Sequence, residues 1–197
     1  MMVIGEITAE TLGEYFNASI LDNVRFGGGG RVIISSPGGD IGYMLAMLDD
    51  IDFWKRETFA TGICQSAAAV LATAGEGKRV CTMDTLFRFI PPVAEKIDDG
   101  NGNIVEKIPD LRYFLHSVCV ARLAARLKCP KPEIELLFDG QFISSIRAKE
   151  FGLIDEVIST EVKNGNSGGF SGSEGPIGRP INFDEYAGFT TSSERCT

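Results

Sequence analysis

Two hydrophobic periods take turns along this chain, one of about two residues and one of about 3.6. A short strand is predicted at Val3–Ile7, and an amphipathic helix follows it to Val24, with Thr8 or Thr11 as its cap. Gly27–Gly30 ends that helix. Arg31–Ser35 is a compact β-branched run of the kind that is buried on both faces of a parallel sheet. Ser36-Pro37-Gly38-Gly39 breaks it, and Ile41–Phe53 returns to helical spacing. The alternation then repeats. A strand is predicted at Thr58–Cys64 and a small apolar helix at Ser66–Ala74, closed by Gly75. Strands follow at Arg79–Cys81 and Leu86–Ile90, the second stopped by Pro91-Pro92. Asp98–Asn103 reads as a turn. The longest helix is predicted at Pro109–Lys128, with Leu111, Phe114, Leu115 and Val118 marking one apolar face. Short helices at Pro132–Phe138 and Ala148–Phe151, the latter capped by Gly152, precede a last strand at Leu153–Ile158. Repeated βα units with glycine turns define an α/β fold with a mostly parallel sheet.

The pattern stops near residue 160. Lys163–Pro180 shifts to Gly, Ser, Asn and Pro, a composition that buries too little apolar surface to offset its ordering entropy, while Ile181–Phe189 brings back Ile, Phe and Tyr and reads as a segment that docks on a neighbour. The expected organisation is one domain over residues 1–160 and a Gly/Ser-rich C-terminal tail over residues 161–197. Hydrophobic residues make up 44% of the 197, enough for one packed core. The net charge of −8 argues against nucleic acid and anionic membrane as partners, since both call for a basic face. No apolar run approaches the roughly 20 residues of a membrane span, and Met1–Glu6 lacks the layout of a secretory signal. Cys64, Cys81, Cys119, Cys129 and Cys196 show no CxxC spacing, which suits a reduced, cytoplasmic chain. One histidine and scattered cysteines make no metal site, and no cofactor is expected.

Two segments carry candidate chemistry. Gly38-Gly39 follows a strand, where glycine lets the backbone approach a ligand and present its N–H groups. In Gly62-Ile63-Cys64-Gln65-Ser66-Ala67, a serine sits where strand turns into helix. Its hydroxyl lies at a helix N-terminus, where amides and dipole favour developing negative charge. Either segment alone is weak, because a serine opening a helix is commonly only a cap.

Taken in order, these segments resemble the Clp peptidase family. The likeness rests on Ser36-Pro37-Gly38-Gly39, the Gly62–Ser66 segment, Thr73-Ala74-Gly75-Glu76 with Gly77-Lys78-Arg79, and Phe142-Ile143-Ser144 followed by Ala148–Asp155. It implies a ClpP/crotonase-type repeated ββα spiral with a protruding long helix, the handle. It further implies Ser66 as nucleophile, the amides of Gly39 and Ala67 as oxyanion donors, and the run Ser36–Asp40 as a strip that pairs with an extended peptide. As partners it implies a homo-oligomer, a heptameric ring or double ring stacked through the handle, together with unfolded protein, active Clp subunits and an AAA+ unfoldase. This chain starts almost at its first strand, which puts unfoldase docking in question.

The sequence departs from the family at the triad. The base, a histidine in the family, falls on Ile90, and the aspartate falls on Leu136 by ungapped counting, with Asp139 close by. The single histidine, His116, lies in the long helix on a polar stripe with Arg112; it reads as a solvated or interface residue, or else as a relocated base. Lys78 and Lys107 are further candidates for a base, and Cys64 is expected to be a small core residue. Three functions remain in view: a Clp-type subunit with impaired or absent peptidase activity, an active phage-type endopeptidase with a non-standard base, and a crotonase-like acyl-CoA binder.

Overall fold

The computed structural model describes residues 1–27, 29–98 and 104–159; the expected tail falls outside these. Strand β1 (Met2–Ile4) leads into helix α1 (Ala9–Phe26), which starts where Thr8 Oγ1 accepts the Thr11 N–H at 3.3 Å and ends at left-handed Gly27. Then come β2 (Arg31–Ser36), α2 (Ile41–Trp54), β3 (Glu57–Gln65) and α3 (Ala67–Ala74). Strands β4 (Arg79–Thr82) and β5 (Leu86–Arg88) follow, and β6 (Glu95–Asp98) and β7 (Ile104–Lys107) pair as an antiparallel hairpin. The chain closes with α4 (Asp110–Leu127), α5 (Lys131–Glu135), β8 (Phe142–Ser144), α6 (Ser145–Glu150) and β9 (Glu156–Ile158). The sequence pattern missed β6, β7 and β8, which are too short to show a period.

The sheet runs β1-β2-β3-β4-β9, all parallel, as expected of βα units. Beside β2 on one edge, strand β3 serves two further neighbours on the other. Thr58–Ala60 pair with Arg79–Cys81, while Ile63–Gln65 pair with Leu86–Arg88 of β5, which itself pairs antiparallel with β8. Gly62, at φ +63, sits between the two pairings and turns the strand from one layer to the next. This turn gives the spiral its character, because it carries the end of β3 away from the main sheet and toward β5.

The core lies between the sheet and the helices α2 and α3. Met44, Met47, Leu48 and Ile51 of α2 are fully buried against α3, every residue of which is buried. Alanines make that helix thin enough to lie against the sheet at close range, and Thr58 Oγ1 donates to the Ala72 carbonyl at 2.9 Å to fix its pitch. Arg56 is fully buried at the start of β3 and donates to Asp50, Asp22, Ser19 and Asn23, tying α1 and α2 to the sheet.

The long helix is anchored by its second half. Its buried residues are Cys119, Val120, Leu123 and Ala124, in its second half. Leu111, Tyr113 and Phe114 in the first turns are 69%, 61% and 60% exposed, so the start of this helix leaves apolar side chains outside the core.

Candidate active site

Ser66 stands at the junction of β3 and α3 with φ 50° and ψ −122°, a conformation that L-residues rarely adopt. Its N–H donates to the Arg88 carbonyl at 2.8 Å, and its own carbonyl accepts from Ala69 at 3.1 Å. Its hydroxyl makes no capping bond. The serine is therefore not a helix cap; the strain turns its side chain out of the turn and leaves it half-buried.

The Gly38-Gly39 pair is built against this turn. A Cβ on Gly38 would stand 2.9 Å from Ser66 Cβ and 2.8 Å from the Gln65 carbonyl oxygen. A Cβ on Gly39, at φ +144, would stand 2.3 Å from the Ile7 carbonyl oxygen. Only glycine fits either position, and the backbone thereby comes up against the serine. Gly38 O accepts from Ile7 N at 2.8 Å, and Asp40 N donates to Ile7 O at 2.9 Å. Ile7 thus pairs with one edge of the expected peptide-pairing strip at Ser36–Asp40, and Ser36 pairs with Cys64 of β3. The amides of Gly39 and Ala67 have no acceptor among the described residues. Two free N–H groups beside a strained serine are what an oxyanion requires.

Ser66, Gly39 and Ala67 line one open pocket of about 240 Å³. Its other walls are largely apolar: Ile41, Val70, Ile90, Pro91, Pro92, Val93 and Phe138. Ile90 is therefore in the serine's pocket, as the sequence alignment of motifs implies. The end of β5 is pinned there, since Arg88 Nε donates to the Gly140 carbonyl at 2.6 Å and Gly140 N to the Phe89 carbonyl at 3.0 Å. Leu136 lies elsewhere, 62% exposed at the end of α5, and the exposed Asp139 spends its carboxylate on the Gln141 N–H at 2.8 Å.

For His116 the sequence reading is a solvated or interface residue, or else a relocated base. It is half-buried and lines the pocket with Arg112 and Cys119, which follow the i, i+4, i+7 spacing of one helical face. That spacing was the signal that could have placed them together. Burial lowers the imidazole's pKa below its ordinary value, with the Glu135 carboxylate pulling the other way. Phe138 packs edge-on against it at 4.6 Å and was not singled out from sequence at all. The remaining candidates fall away from the site. Lys78 is ion-paired with Glu156 at the edge of β9, and the Lys107 side chain lies outside what is described. Cys64 is fully buried, its thiol pushed up to about 12 by burial, so it is no nucleophile.

The class of protein is thus an α/β protein with a parallel sheet and crossover helices, which carries a serine on a strained strand-to-helix turn in one pocket with Gly39 and Ala67. The family model described as Clp protease matches residues 29–161, well over half of the chain, and the chain belongs to that family. It is 31% identical over 136 residues to the ATP-dependent Clp protease proteolytic subunit 2 of Frankia casuarinae, covering 66% of this chain and 60% of the relative. With the proteolytic subunit 1 of Cutibacterium acnes it shares 27% identity over 131 residues, or 64% of this chain and 61% of that one. The chain thus spans about three fifths of the length of these curated relatives. The crystal structure of the ClpP protease catalytic domain from Plasmodium falciparum superimposes with a TM-score of 0.66 at 25% identity, over 82% of this chain and 85% of that one. The expected ClpP-type fold is therefore present. Among the described residues, no helix is long and apolar enough to cross a membrane.

Proposed function

We propose that this chain is a cytoplasmic Clp-type proteolytic subunit homologue that assembles into rings and hydrolyses peptides only slowly. The observation that carries the reading is Ile90, an aliphatic side chain in the wall of the Ser66 pocket at the position where the resemblance puts the base. Loss of the histidine from a serine triad costs about 10⁶-fold in turnover, while an intact oxyanion site still supports about 10³–10⁴-fold over water. Ser66, with the amides of Gly39 and Ala67, supplies that residual part. The exposed Leu111, Tyr113 and Phe114 on α4 support ring stacking through the handle, because an apolar patch of this kind is costly in water unless another surface covers it. The Clp protease match weighs against the acyl-CoA reading.

A fluorophosphonate probe tests the catalytic half of the proposal. Slow labelling that disappears in Ser66→Ala is the expected result; rapid stoichiometric labelling of the unaltered chain would contradict impairment. Sedimentation of the same protein is expected to show particles several times the 21.3 kDa of one chain. A monomer at micromolar concentration would remove the ring from the proposal.

A further inference from the structure

We infer that His116 is the general base for Ser66 in this chain, working from the handle helix α4 across the pocket in place of a residue at the end of β5. The inference rests on the reading of an impaired, not absent, hydrolase. It begins with placement: the one histidine in 197 residues lies in the wall of the pocket that holds Ser66, Gly39 and Ala67. Its helix face is turned inward at that point, while neighbouring Leu111, Tyr113 and Phe114 are turned out.

The ring is held in place. Phe138 meets it edge-on at 4.6 Å, and Phe138 is itself braced edge-on against Phe89 at 5.5 Å. Among the described residues the imidazole has no hydrogen-bond partner, so neither of its nitrogens is committed elsewhere. The pocket offers no rival. Its titratable wall residues are Arg112, His116 and Cys119. An arginine stays protonated, and the buried Cys119 thiol is pushed up to about 11 by burial, so neither accepts a proton near neutrality. Desolvation lowers the His116 pKa and so favours the neutral imidazole, which is the form a base must have. Facing it are Glu135 from α5 and Arg112 and Cys119 from its own helix. The segment from Ile90 to Val93 and helix α3 bring no titratable side chain into the pocket. Glu135 is placed to favour the imidazolium once it forms.

The step balances as follows. The Ser66 Oγ–H proton passes to an imidazole nitrogen, directly or through one water in the pocket, as the Oγ–C bond to the acyl carbon forms. The resulting oxyanion meets the Gly39 and Ala67 amides. The imidazolium returns the proton to the leaving amine as the C–N bond breaks, and a water then releases the acid by the same route. A base on the far wall, without an aspartate behind it, accounts for slow turnover.

The experiment measures the rate of fluorophosphonate labelling of Ser66 from pH 5 to 9 in the unaltered chain, His116→Gln, Ile90→His and Ile90→His/His116→Gln. The unaltered chain is expected to label slowly, with a rate that rises with pH through one titration below the ordinary histidine value. His116→Gln is expected to lose about 10²-fold in rate and that titration with it. The Ile90→His/His116→Gln double variant is expected to label as readily as Ile90→His, which shows an intact pocket. Equal rates and equal pH profiles for the unaltered chain and His116→Gln would overturn the inference and leave the impaired-subunit reading standing. A double variant as inert as His116→Gln would overturn it too, by making His116 a structural residue. Rapid labelling of the unaltered chain would instead count against impairment, and the His116→Gln rate would still judge the base.

Discussion

An Ile90→His variant is expected to cleave a fluorogenic peptide at least about 10²-fold faster than the unaltered chain. Position 90 is the place for the gain. Ser66 N bonds the Arg88 carbonyl, so the end of β5 is hydrogen-bonded to the nucleophile turn, and the chain two residues on lines the serine's pocket. The two bonds to Gly140 hold that end of the strand, which leaves the new imidazole little freedom to swing away. A full triad histidine is worth about 10⁶-fold in turnover, or roughly 8–9 kcal/mol of barrier. Only part of it returns, because nothing stands behind the imidazole: the position expected for the aspartate is the exposed Leu136. Steady-state kinetics with Ser66→Ala as the blank measures the gain. An Ile90→His rate no higher than that of the unaltered chain would mean that residue 90 does not face the reacting serine.

How much of this was legible beforehand differs from element to element. The strands read at Arg31–Ser35 and Thr58–Cys64 were visible because β-branched and apolar residues recur there, and in the fold their burial alternates along each strand. Ser66 and Gly39 were found through ordered motifs, not through their geometry. Nothing in the letters shows that Ser66 sits at φ 50°, nor that a Cβ on Gly39 would collide with Ile7, since both follow from strands that come together only in the folded state. The short strand Phe142–Ser144 was missed for the same reason: three residues carry no period, and its partner β5 lies far away in sequence. His116 is the instructive case. On a helical wheel it shares a stripe with Arg112, which favoured a wet position. The fold closes that stripe over with Phe138 and the Pro91–Val93 segment, and a polar stripe becomes one wall of a pocket. Leu111 and Phe114 belong to the apolar face read from the sequence, and this chain leaves them exposed.

Arg56→Ala is expected to destabilise the domain by about 3–5 kcal/mol, the usual cost of removing one partner from a buried ion pair. The arginine side chain has no exposure, and four groups depend on it. Its Nε donates to Asp50 at 3.1 Å, its Nη1 to Asp22 at 2.7 Å, and its Nη2 to Ser19 and Asn23 at 3.0 and 2.7 Å. Asp50 also accepts from the Tyr15 hydroxyl at 2.8 Å and from Ser19 at 3.1 Å. Burial, and then the bond to Asp50, push the Tyr15 hydroxyl's pKa well up, so the phenol remains a donor throughout the neutral range. Removing Arg56 leaves the Asp50 and Asp22 carboxylates largely out of water with no cation between them, and opens a cavity where the side chain lay. Arg56→Lys keeps a charge but cannot reach four partners in a planar fork, and its loss should fall between zero and that of alanine. Urea unfolding followed by circular dichroism measures both variants. A loss below about 1 kcal/mol for alanine would mean that solvent reaches the network and screens it. The consequence for the site follows from connectivity. Asp50 is on α2, which begins straight after Gly38-Gly39, with Asp40 Oδ1 accepting the Tyr43 N–H at 3.0 Å as its cap. Slack at the far end of α2 is transmitted to the glycine pair, so Arg56→Ala should slow Ser66 labelling even at temperatures where the domain stays folded.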